Sequence, residues 1–479
     1  MFKAPQLCCL LISLIFSTKI WSSPWIGTIE PQLHQDLQVL VEWGVLDAAV
    51  NTYPVPWKGI AQQLEKIQLE TLDKVPSISA QRLKHYLRAY KKQTGQSIAS
   101  LYAATDDSQL TGFNGLQGPK VRFNVTREFY WGRWAGQLSV NQLRAGERHF
   151  DQSFIAYQFG DWNLRLGSLN QWWGPGQSSS LILSNNARPI PALSFSRSQA
   201  TRSENSWLQY LGPWFFTAQI GQLDSERVIP DAKLWMTRFT FSPIKGLELG
   251  LSWSAIWGGQ GRSNSIGDWF DVITLEEECA LEQLSCETTA NHIAGLDFKY
   301  SAKLFDQPVS LYGQRVGEDM HGYFRVTNNA NLLGVSTYLA GSKLYVESSD
   351  TKVTCGASST NCFYEHGNYQ SGYRYHNRAI GSTFERDAKM YTLGLNQSRQ
   401  NGDLVEIALN HLTFDSDKQV SSPLFSYPTE TLIRLSGFYQ TQYADWLVKI
   451  GASVEHSESY ENTTQNDTLV FAEVKYQIN

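Results

Sequence analysis

Two hydrophobic periods divide the chain into unequal parts. In the N-terminal stretch "PQLHQDLQVLVEWGVL", Leu33, Leu37 and Leu40 recur at helical spacing and share one face. The stretches "VPWKGIAQQLEKI" and "SISAQRLKHYLRAY" repeat the same period. Three short amphipathic helices cannot bury a large core, so they must pack on one another and on another part of the molecule. The pattern predicts a small helical bundle over residues 26–95.

After the helical part, apolar and polar residues alternate along the chain. In "VFAEVKYQI", Val470 and Val474 lie on one face, and Glu473 and Lys475 lie on the other. In a buried β-sandwich each unpaired charge on that second face would cost on the order of several kcal/mol. A barrel with lipid outside and a wet lumen tolerates such charges. The alternation therefore predicts an all-β transmembrane barrel over residues 96–479.

The connections between the predicted strands are alternately short and long. Short ones carry Gly-Asp or Gly-Pro turn signals, as at 160–161 and 212–213. This alternation is typical of outer-membrane barrels, with short periplasmic turns and long outer loops. Treating 379–397 as one strand preserves the alternation, gives about eighteen antiparallel strands and places the helical bundle on the periplasmic side as a plug. Long connections are predicted at residues 106–119, 144–152, 170–206, 223–233, 256–291, 316–331, 350–378, 412–430 and 455–467.

The first residues and the overall charge place the protein in the cell envelope. In residues 1–23, Lys3 precedes an apolar stretch too short for an ordinary membrane span, which is typical of a signal peptide. Beyond it, no apolar run approaches the ~18 residues that a spanning helix needs. A net charge of −5 argues against nucleic acid as a partner. We therefore expect a monomeric barrel surrounded by outer-membrane lipid.

Four cysteines remain after the predicted signal peptide, in two pairs of identical spacing: Cys279, Cys286, Cys355 and Cys362. An exported protein meets an oxidising compartment, so two local disulfides are the simplest interpretation. A four-thiolate zinc site is the alternative, but the spacing is wider than in the usual metal knuckle and no histidine is suitably placed. We therefore favour disulfides and expect neither a metal nor a cofactor.

Known catalytic motifs are missing from the sequence. The stretch "GPGQSSS" lacks the trailing glycine of a nucleophile elbow and the Gly-Lys-Ser/Thr ending of a phosphate loop. No His-Glu-x-x-His motif occurs. The sequence therefore predicts no catalytic residue, and an enzyme is the least favoured class.

The most distinctive stretch is "NQWWGPGQSSSLILSNNARPIP", in the longest predicted outer loop. Trp172 and Trp173 are candidates for a sugar-stacking platform or for an interfacial aromatic belt. Asn185, Asn186 and Arg188 could bind hydroxyls or an acidic group of a polysaccharide, or could pin the loop to the barrel wall. Because a "GPG" turn can redirect the chain sharply, we expect the loop to fold inward over the lumen.

The stretch "WWGPGQSSSLILSNNARP" followed by "SFSR", after an N-terminal "DLQVLVEWGVLDAAVNTYPVPW", resembles the Wzi family of capsule-assembly proteins of Gram-negative outer membranes. The similarity runs from about residue 26 to the C-terminus. The resemblance implies an eighteen-stranded barrel, closed by a helical bundle on the periplasmic side and by its loops outside. It also implies a lectin-like role, in which the protein nucleates or anchors exported capsular polysaccharide at the cell surface.

Two other functions compete with the lectin-like role. The first is a diffusion or substrate-specific porin whose third outer loop narrows the pore, and the second is an envelope enzyme that acts on polysaccharide. The helical segment favours the lectin over the porin, since a plain porin needs no plug. The missing catalytic motifs count against the enzyme.

Overall fold

The structure is a computed structural model that describes residues 24–26, 30–91, 95–108, 110, 112–114, 118–143, 146–274, 290–321, 325–355, 359–360, 362–385, 387–399, 401–414, 429–461 and 463–478. The predicted signal peptide, Cys279 and Cys286 lie outside these residues, as does the side chain of Cys355. Cys362 is disulfide-bonded, and the proposed pairing of the four cysteines stays a prediction. Within these ranges, no group of three or more His, Cys, Asp or Glu residues could hold a metal ion.

The described part of the chain forms a closed barrel of eighteen antiparallel strands, which confirms the predicted fold class. The first and last strands complete the ring, where Ser97 pairs with Ile478. The fourth strand is interrupted, and both of its parts pair with the third. The strands are β1 Ser97–Ala104, β2 Val121–Trp131, β3 Trp134–Leu143, β4 Arg148–His149 with Phe154–Phe159, β5 Trp162–Gly167, β6 Ala192–Arg197, β7 Trp214–Gln222, β8 Lys233–Ile244, β9 Leu247–Trp257, β10 Asn291–Leu304, β11 Gln307–His321, β12 Arg325–Leu339, β13 Ser342–Asp350, β14 Lys389–Ser398, β15 Leu404–Thr413, β16 Thr429–Tyr443, β17 Trp446–Ser459 and β18 Thr464–Ile478.

The two faces of the barrel wall follow the predicted alternation. In β18, Glu473 faces the lumen and is 5% exposed, whereas Val470 on the outer face is 51% exposed. In β9, Glu248 is buried and Leu251 is exposed in the same way. The wall therefore has a polar inside and an apolar outside, as a barrel in lipid requires.

The connections at one end of the barrel are mostly short, and we call it the turn end. Those at the other end are mostly long, and we call it the loop end. Two of the connections predicted to be long are in fact short. The strands on either side of 316–331 continue to 321 and resume at 325, and those beside 455–467 continue to 459 and resume at 464. The short connections at the turn end are 132–133, 160–161, 245–246, 305–306, 340–341, 399–403 and 444–445, and the longer 198–213 lies at the same end.

Two further predicted boundaries need correction. The loop predicted over 170–206 ends earlier, because Ala192–Arg197 is strand β6 and pairs with both β5 and β7. The 3₁₀ helix Ser206–Leu211 lies in the next connection, at the turn end. The strand predicted over 379–397 begins only at Lys389, after a two-residue hairpin formed by Arg374–Tyr375 and Arg378–Ala379.

The predicted helices form an N-terminal segment at the turn end of the barrel. Its helices are α1 Gln32–Glu42, α2 Ile60–Lys66 and α3 Lys74–Lys91. A separate helix, α4 Ile266–Thr274, lies at the loop end in the connection between β9 and β10. Leu33, Leu37 and Leu40 of α1 are buried in one apolar cluster with Leu83 and Leu87 of α3. Within the described ranges, no helix is long and apolar enough to span a membrane. The segment thus has a small core of its own.

Candidate functional site

The connection between β5 and β6, residues 168–191, folds into the lumen, and we call it the inner loop. Trp172–Trp173 pairs as a two-residue strand with Thr52–Tyr53 of the N-terminal segment. Leu181 and Ile182 are fully buried among aromatic side chains of the connection between β13 and β14. The predicted inward fold of this loop is confirmed.

A buried carboxylate on the barrel wall holds the inner loop at its midpoint. Glu347 of β13 accepts hydrogen bonds from the backbone N–H groups of Gln177 at 2.7 Å, Ser178 at 3.1 Å and Ser179 at 3.2 Å. The hydroxyl of Tyr312 donates another at 3.2 Å. This one side chain therefore fixes the turn of the loop.

The turn at Glu347 requires glycine at two positions of the "GPG" motif. A Cβ atom at Gly176 would lie 2.1 Å from the carbonyl oxygen of Ser179. Gly174 has a φ of +138°, a conformation that L side chains rarely adopt, and a Cβ there would lie 3.0 Å from Nε2 of Gln314. The motif lets the backbone come close to the wall.

Trp172 and Trp173 lie inside the molecule and are 1% and 0% exposed. Trp172 donates from Nε1 to the carbonyl oxygen of Gly176 at 3.0 Å and packs edge-on against Phe113, with ring centroids 5.4 Å apart. Neither indole has an open face, so the structure corrects the expectation of a sugar-stacking platform and that of an aromatic belt. Two adjacent tryptophans look the same in the sequence whether they are exposed or buried.

Asn186 ties the end of the inner loop to the connection between β13 and β14. It is fully buried, and its Nδ2 donates to Oε1 of Glu385 at 2.9 Å and to the carbonyl oxygen of Ala379 at 3.0 Å. Its Oδ1 accepts a hydrogen bond from Arg378 at 2.6 Å. The side chain is thus fully engaged in loop-to-loop contacts.

Asn185 and Arg188 lie at the edge of an open space instead. Arg188 donates two hydrogen bonds to the carboxylate of Asp151, at 2.8 Å and 3.0 Å. Asn185 donates from Nδ2 to the carbonyl oxygen of Phe113 at 2.9 Å. Both side chains connect the inner loop to its surroundings and still line the cavity beside it.

This cavity has a volume of about 560 Å³ and lies between the inner loop and the wall formed by β1–β4 and β15–β18. Near the loop end it is lined by Arg188 and by His376 of the connection between β13 and β14. Near the turn end it is lined by Gln32 of α1 and Gln440 of β16. The cavity therefore follows the wall along most of the barrel.

Amide and hydroxyl side chains form one wall of the cavity. Gln137, Ser139 and Asn141 face it from alternate positions of β3. Asn124 of β2 donates to the hydroxyl of Ser139 at 2.7 Å and to Oδ1 of Asn141 at 3.1 Å. Such groups both donate and accept, which suits a ligand rich in hydroxyls. In the sequence these residues are marked only by the alternation in "QLSVN". Because every strand of the barrel has the same alternation, the sequence could not single them out.

The connection between β13 and β14 covers the inner loop at the loop end. The hydroxyl of Tyr364 donates to the carbonyl oxygen of Leu181 at 2.6 Å, and the hydroxyl of Tyr373 donates to the carbonyl oxygen of Ile182 at 2.9 Å. Arg227, from the connection between β7 and β8, donates to two carbonyl oxygens of the covering connection, at 2.9 Å and 3.0 Å. Three long connections thus interlock above the lumen.

A buried ion cluster attaches the N-terminal segment at the turn end. Glu42, the last residue of α1, contacts the ammonium groups of Lys299 at 2.6 Å and Lys343 at 2.8 Å. The hydroxyl of Tyr338 also donates to this carboxylate. Burial alone would raise the pKa of Glu42, but the two lysines lower it to about 2. The carboxylate is therefore ionised and joins α1 to β10 and β13.

The strand Thr52–Tyr53, which pairs with Trp172–Trp173, and the two residues before it are also held by side chains of the barrel wall. Glu248 of β9 accepts hydrogen bonds from the backbone N–H groups of Val50 and Asn51, both at 2.9 Å. Arg238 of β8 donates to the hydroxyl of Thr52 at 2.8 Å and to the carbonyl oxygen of Asn51 at 3.2 Å. Side chains of the barrel wall thus hold the backbone of the N-terminal segment as well as that of the inner loop.

The fold is similar to that of Escherichia coli Wzi, an outer-membrane protein involved in group 1 capsule assembly and a carbohydrate-binding β-barrel. The TM-score is 0.79 at 25% sequence identity, and the match covers 94% of this chain and 98% of that one. An uncharacterised 55.8 kDa protein from the cps region of Klebsiella pneumoniae is 30% identical over 343 residues. That match covers 67% of this chain and 64% of the relative, which is less than two thirds of the relative's length.

The family model "Capsule assembly protein Wzi" matches residues 90–469. This range begins at the end of α3 and contains nearly the whole barrel, including the inner loop. The match confirms the resemblance carried by the "WWGPGQSSS" stretch. The chain therefore belongs to the Wzi capsule assembly family and is a β-barrel protein of the outer membrane.

Proposed function

We propose that this protein binds capsular or other surface polysaccharide and anchors it at the cell surface during capsule assembly. The observation that carries the proposal is the cavity of about 560 Å³, with its wall of amide and hydroxyl side chains beside the inner loop. The Escherichia coli relative is a carbohydrate-binding β-barrel, which supports the same class of ligand.

Asn185 and Arg188 are the inner-loop residues that we assign to ligand contact. Asn185 lines the cavity at its edge, and the side chain is only partly buried. An amide in this position suits a ligand rich in hydroxyls. The side chain of Arg188 is 34% exposed and can donate to a hydroxyl or a carboxylate while it stays bound to Asp151.

Trp172, Trp173 and Asn186 act on the ligand only through the shape of the inner loop. All three are buried and bonded or packed against protein groups. Substituting any of them should disorder the loop before it changes a ligand contact.

We propose a binding protein without catalytic residues or cofactor. Two carboxylates of the cavity already face cations, Asp151 at 2.8 Å from Arg188 and Glu473 at 3.7 Å from Lys475. The closed ring leaves no free strand edge for a partner chain, which supports a monomer. Its apolar outer face suits outer-membrane lipid.

The test is the distribution of polysaccharide between cells and medium in a deletion strain that carries single variants. Asn185→Ala should move polysaccharide from the cells into the medium, because it removes a cavity amide. Gln442→Ala, an exposed amide at the turn end, is the matched control and should leave retention unchanged. Full retention by Asn185→Ala and Asn141→Ala, at normal levels of barrel protein, would contradict the proposal.

Arg188→Ala separates ligand contact from loop support. The bond between Arg188 and Asp151 is partly exposed, so its loss should cost no more than about 1 kcal/mol. Lost retention with a protease-resistant inner loop identifies Arg188 as a ligand contact. A protease-sensitive loop identifies it as a support.

A substrate-specific or general porin is the second candidate, and the length of the cavity favours it. Its lining extends from His376 near the loop end to Gln440 near the turn end. An anchoring protein should show little conductance in planar bilayers until residues 26–93 are deleted, since α1 then no longer occupies the turn end. High steady conductance of the full-length protein would support the porin.

A further inference from the structure

Helix α4 lies against the outer surface of the barrel wall at the loop end. Met236 of β8 and Ser254 of β9 are fully buried and face the lumen. Their neighbours Trp235 and Trp253 therefore point outward, because successive residues of a strand face opposite sides. The ring of Trp269 in α4 contacts Trp235 edge-on, with centroids 5.3 Å apart.

One side of α4 covers outward-facing wall residues. Val272 of the helix is buried in a cluster with Ala255 and Trp257 of β9. Ala255 and Trp257 lie on the lipid side of the wall and yet are only 0% and 4% exposed. Since α4 packs beside them, the helix occupies space that lipid fills along the rest of the wall.

The remaining faces of α4 are amphipathic. Ile266 and Phe270 are 74% and 51% exposed and lie one turn apart. Asp268 and Asp271 lie on the opposite side of this nine-residue helix. The carboxylate of Asp268 accepts a hydrogen bond from the backbone N–H of Ser265 at 2.7 Å, which fixes the start of the helix.

We propose that α4 is a membrane-interface helix whose Ile266 and Phe270 side chains insert among the acyl chains of the leaflet at the loop end. Its exposed apolar side continues the outward-facing apolar band of β8 and β9, which supports lipid as the occupant. Its acidic side then faces headgroups and water, as in other helices that lie in the interface. The inference rests on the outer-membrane location and is independent of polysaccharide binding.

Spin labelling of the full-length protein in phosphatidylcholine vesicles tests the proposal. A single cysteine is introduced by Ile266→Cys, Gly267→Cys, Phe270→Cys or Asp271→Cys, and a nitroxide is attached. Collision rates are then measured with oxygen, which concentrates in lipid, and with a nickel chelate, which stays in water. The unsubstituted protein, carried through the same labelling, gives the background from its own cysteines.

Labels at 266 and 270 should show an oxygen-to-nickel collision ratio several-fold higher than those at 267 and 271. Equal ratios at the four positions would overturn the proposal, because the helix would then stand in water. Labels at 266 and 270 that neither reagent reaches would overturn it as well, because protein, from this chain or from a second copy, would cover the face.

Discussion

The N-terminal segment and the inner loop enter the lumen from opposite ends and are stabilised by different means. They meet where Trp172–Trp173 pairs with Thr52–Tyr53. The helices of the N-terminal segment share an apolar core, and α1 contacts the wall through side chains such as that of Glu42. The short stretch Val50–Thr52 that follows is held through its backbone by Glu248 and Arg238. The inner loop has no helix, and its backbone N–H groups need partners on the wall, such as Glu347.

The difference follows from where the backbone hydrogen bonds are made. A helix satisfies most of its N–H groups internally, whereas an irregular buried segment needs acceptors on other parts of the molecule for the N–H groups that it does not pair itself. Loss of a wall contact should therefore release the N-terminal segment as a folded body. The corresponding loss at the inner loop should unfold the loop itself.

The largest effect is expected for Glu42→Gln. It leaves the buried ammonium groups of Lys299 and Lys343 without their counter-charge. Breaking a buried ion pair costs about 3–5 kcal/mol, so hydrogen exchange at the junction of α1 with the wall should accelerate about a hundredfold or more. Exchange measured by mass spectrometry in detergent micelles tests this, and unchanged protection would contradict the role of the cluster.

An exposed ion pair in the same segment provides the control for this variant. Lys91 and Glu65 form a salt bridge with both side chains nearly half exposed. Exposed pairs contribute about 0–1 kcal/mol, so Glu65→Gln should leave hydrogen exchange nearly unchanged.

A smaller effect is expected for Glu347→Ala. It removes the acceptor of the backbone N–H groups of Gln177, Ser178 and Ser179, and each of these hydrogen bonds contributes about 0.5–1.5 kcal/mol. Proteinase K should then cut within the inner loop, while α1 to α3 keep their protection. Glu347→Gln, which retains a carbonyl oxygen, should be cut more slowly. If proteinase K cut both the inner loop and α1 to α3, the N-terminal segment and the inner loop would not be stabilised independently.

The smallest effect concerns pH and two residues of α1. Burial lowers the pKa of His34 from 6.5 to about 3. Burial, partly offset by Arg82 and Ser79, raises the pKa of Asp36 from 3.8 to about 6. As the pH falls from 6 to about 4.5, the folded segment is stabilised by protonation of Asp36, whereas the unfolded segment is stabilised by protonation of His34. The two effects oppose each other, so stability should change little in this window.

Single variants should reveal how each residue alone changes the free energy of unfolding with pH. With Asp36→Asn, the segment should lose about 1.4 kcal/mol per pH unit as the pH falls from 6 to 4.5, because only the effect of His34 remains. With His34→Gln, it should gain a similar amount as the pH falls. Urea unfolding of the helical circular dichroism at several pH values measures both. Slopes of the same sign in the two variants would contradict these assignments.

The number of strands could be predicted because lipid and lumen impose opposite polarity on alternate residues of each crossing strand. That constraint ends beyond the membrane. Glu458 of β17 pairs with Thr464 of β18, and His456 pairs with Asn466, in a stretch that is polar on both faces. Because water surrounds these residues on either side, their sequence is typical of a loop, and the prediction over 455–467 is wrong for that reason.

The candidate site could be predicted only in outline. The "GPG" turn correctly indicates that the loop folds inward, where Leu181 and Ile182 are buried. The burial of Trp172 depends on pairing with Tyr53, far away in the sequence, and no local pattern reveals it. Glu347 was equally hidden, since a glutamate on the lumen face of a strand looks the same whether it meets water or three backbone N–H groups.

The pairing of β1 with β18 along Ser97–Ala104 and Phe471–Ile478 is a seam between the two ends of the barrel sequence. Every other wall pairing joins strands that follow one another in the chain. Pairings between strands so distant in sequence form late, because chain entropy opposes them until other contacts bring the ends together. We therefore expect the wall to close only when its last strand arrives. Until then, α1 and the inner loop can reach the lumen through the open side of the sheet.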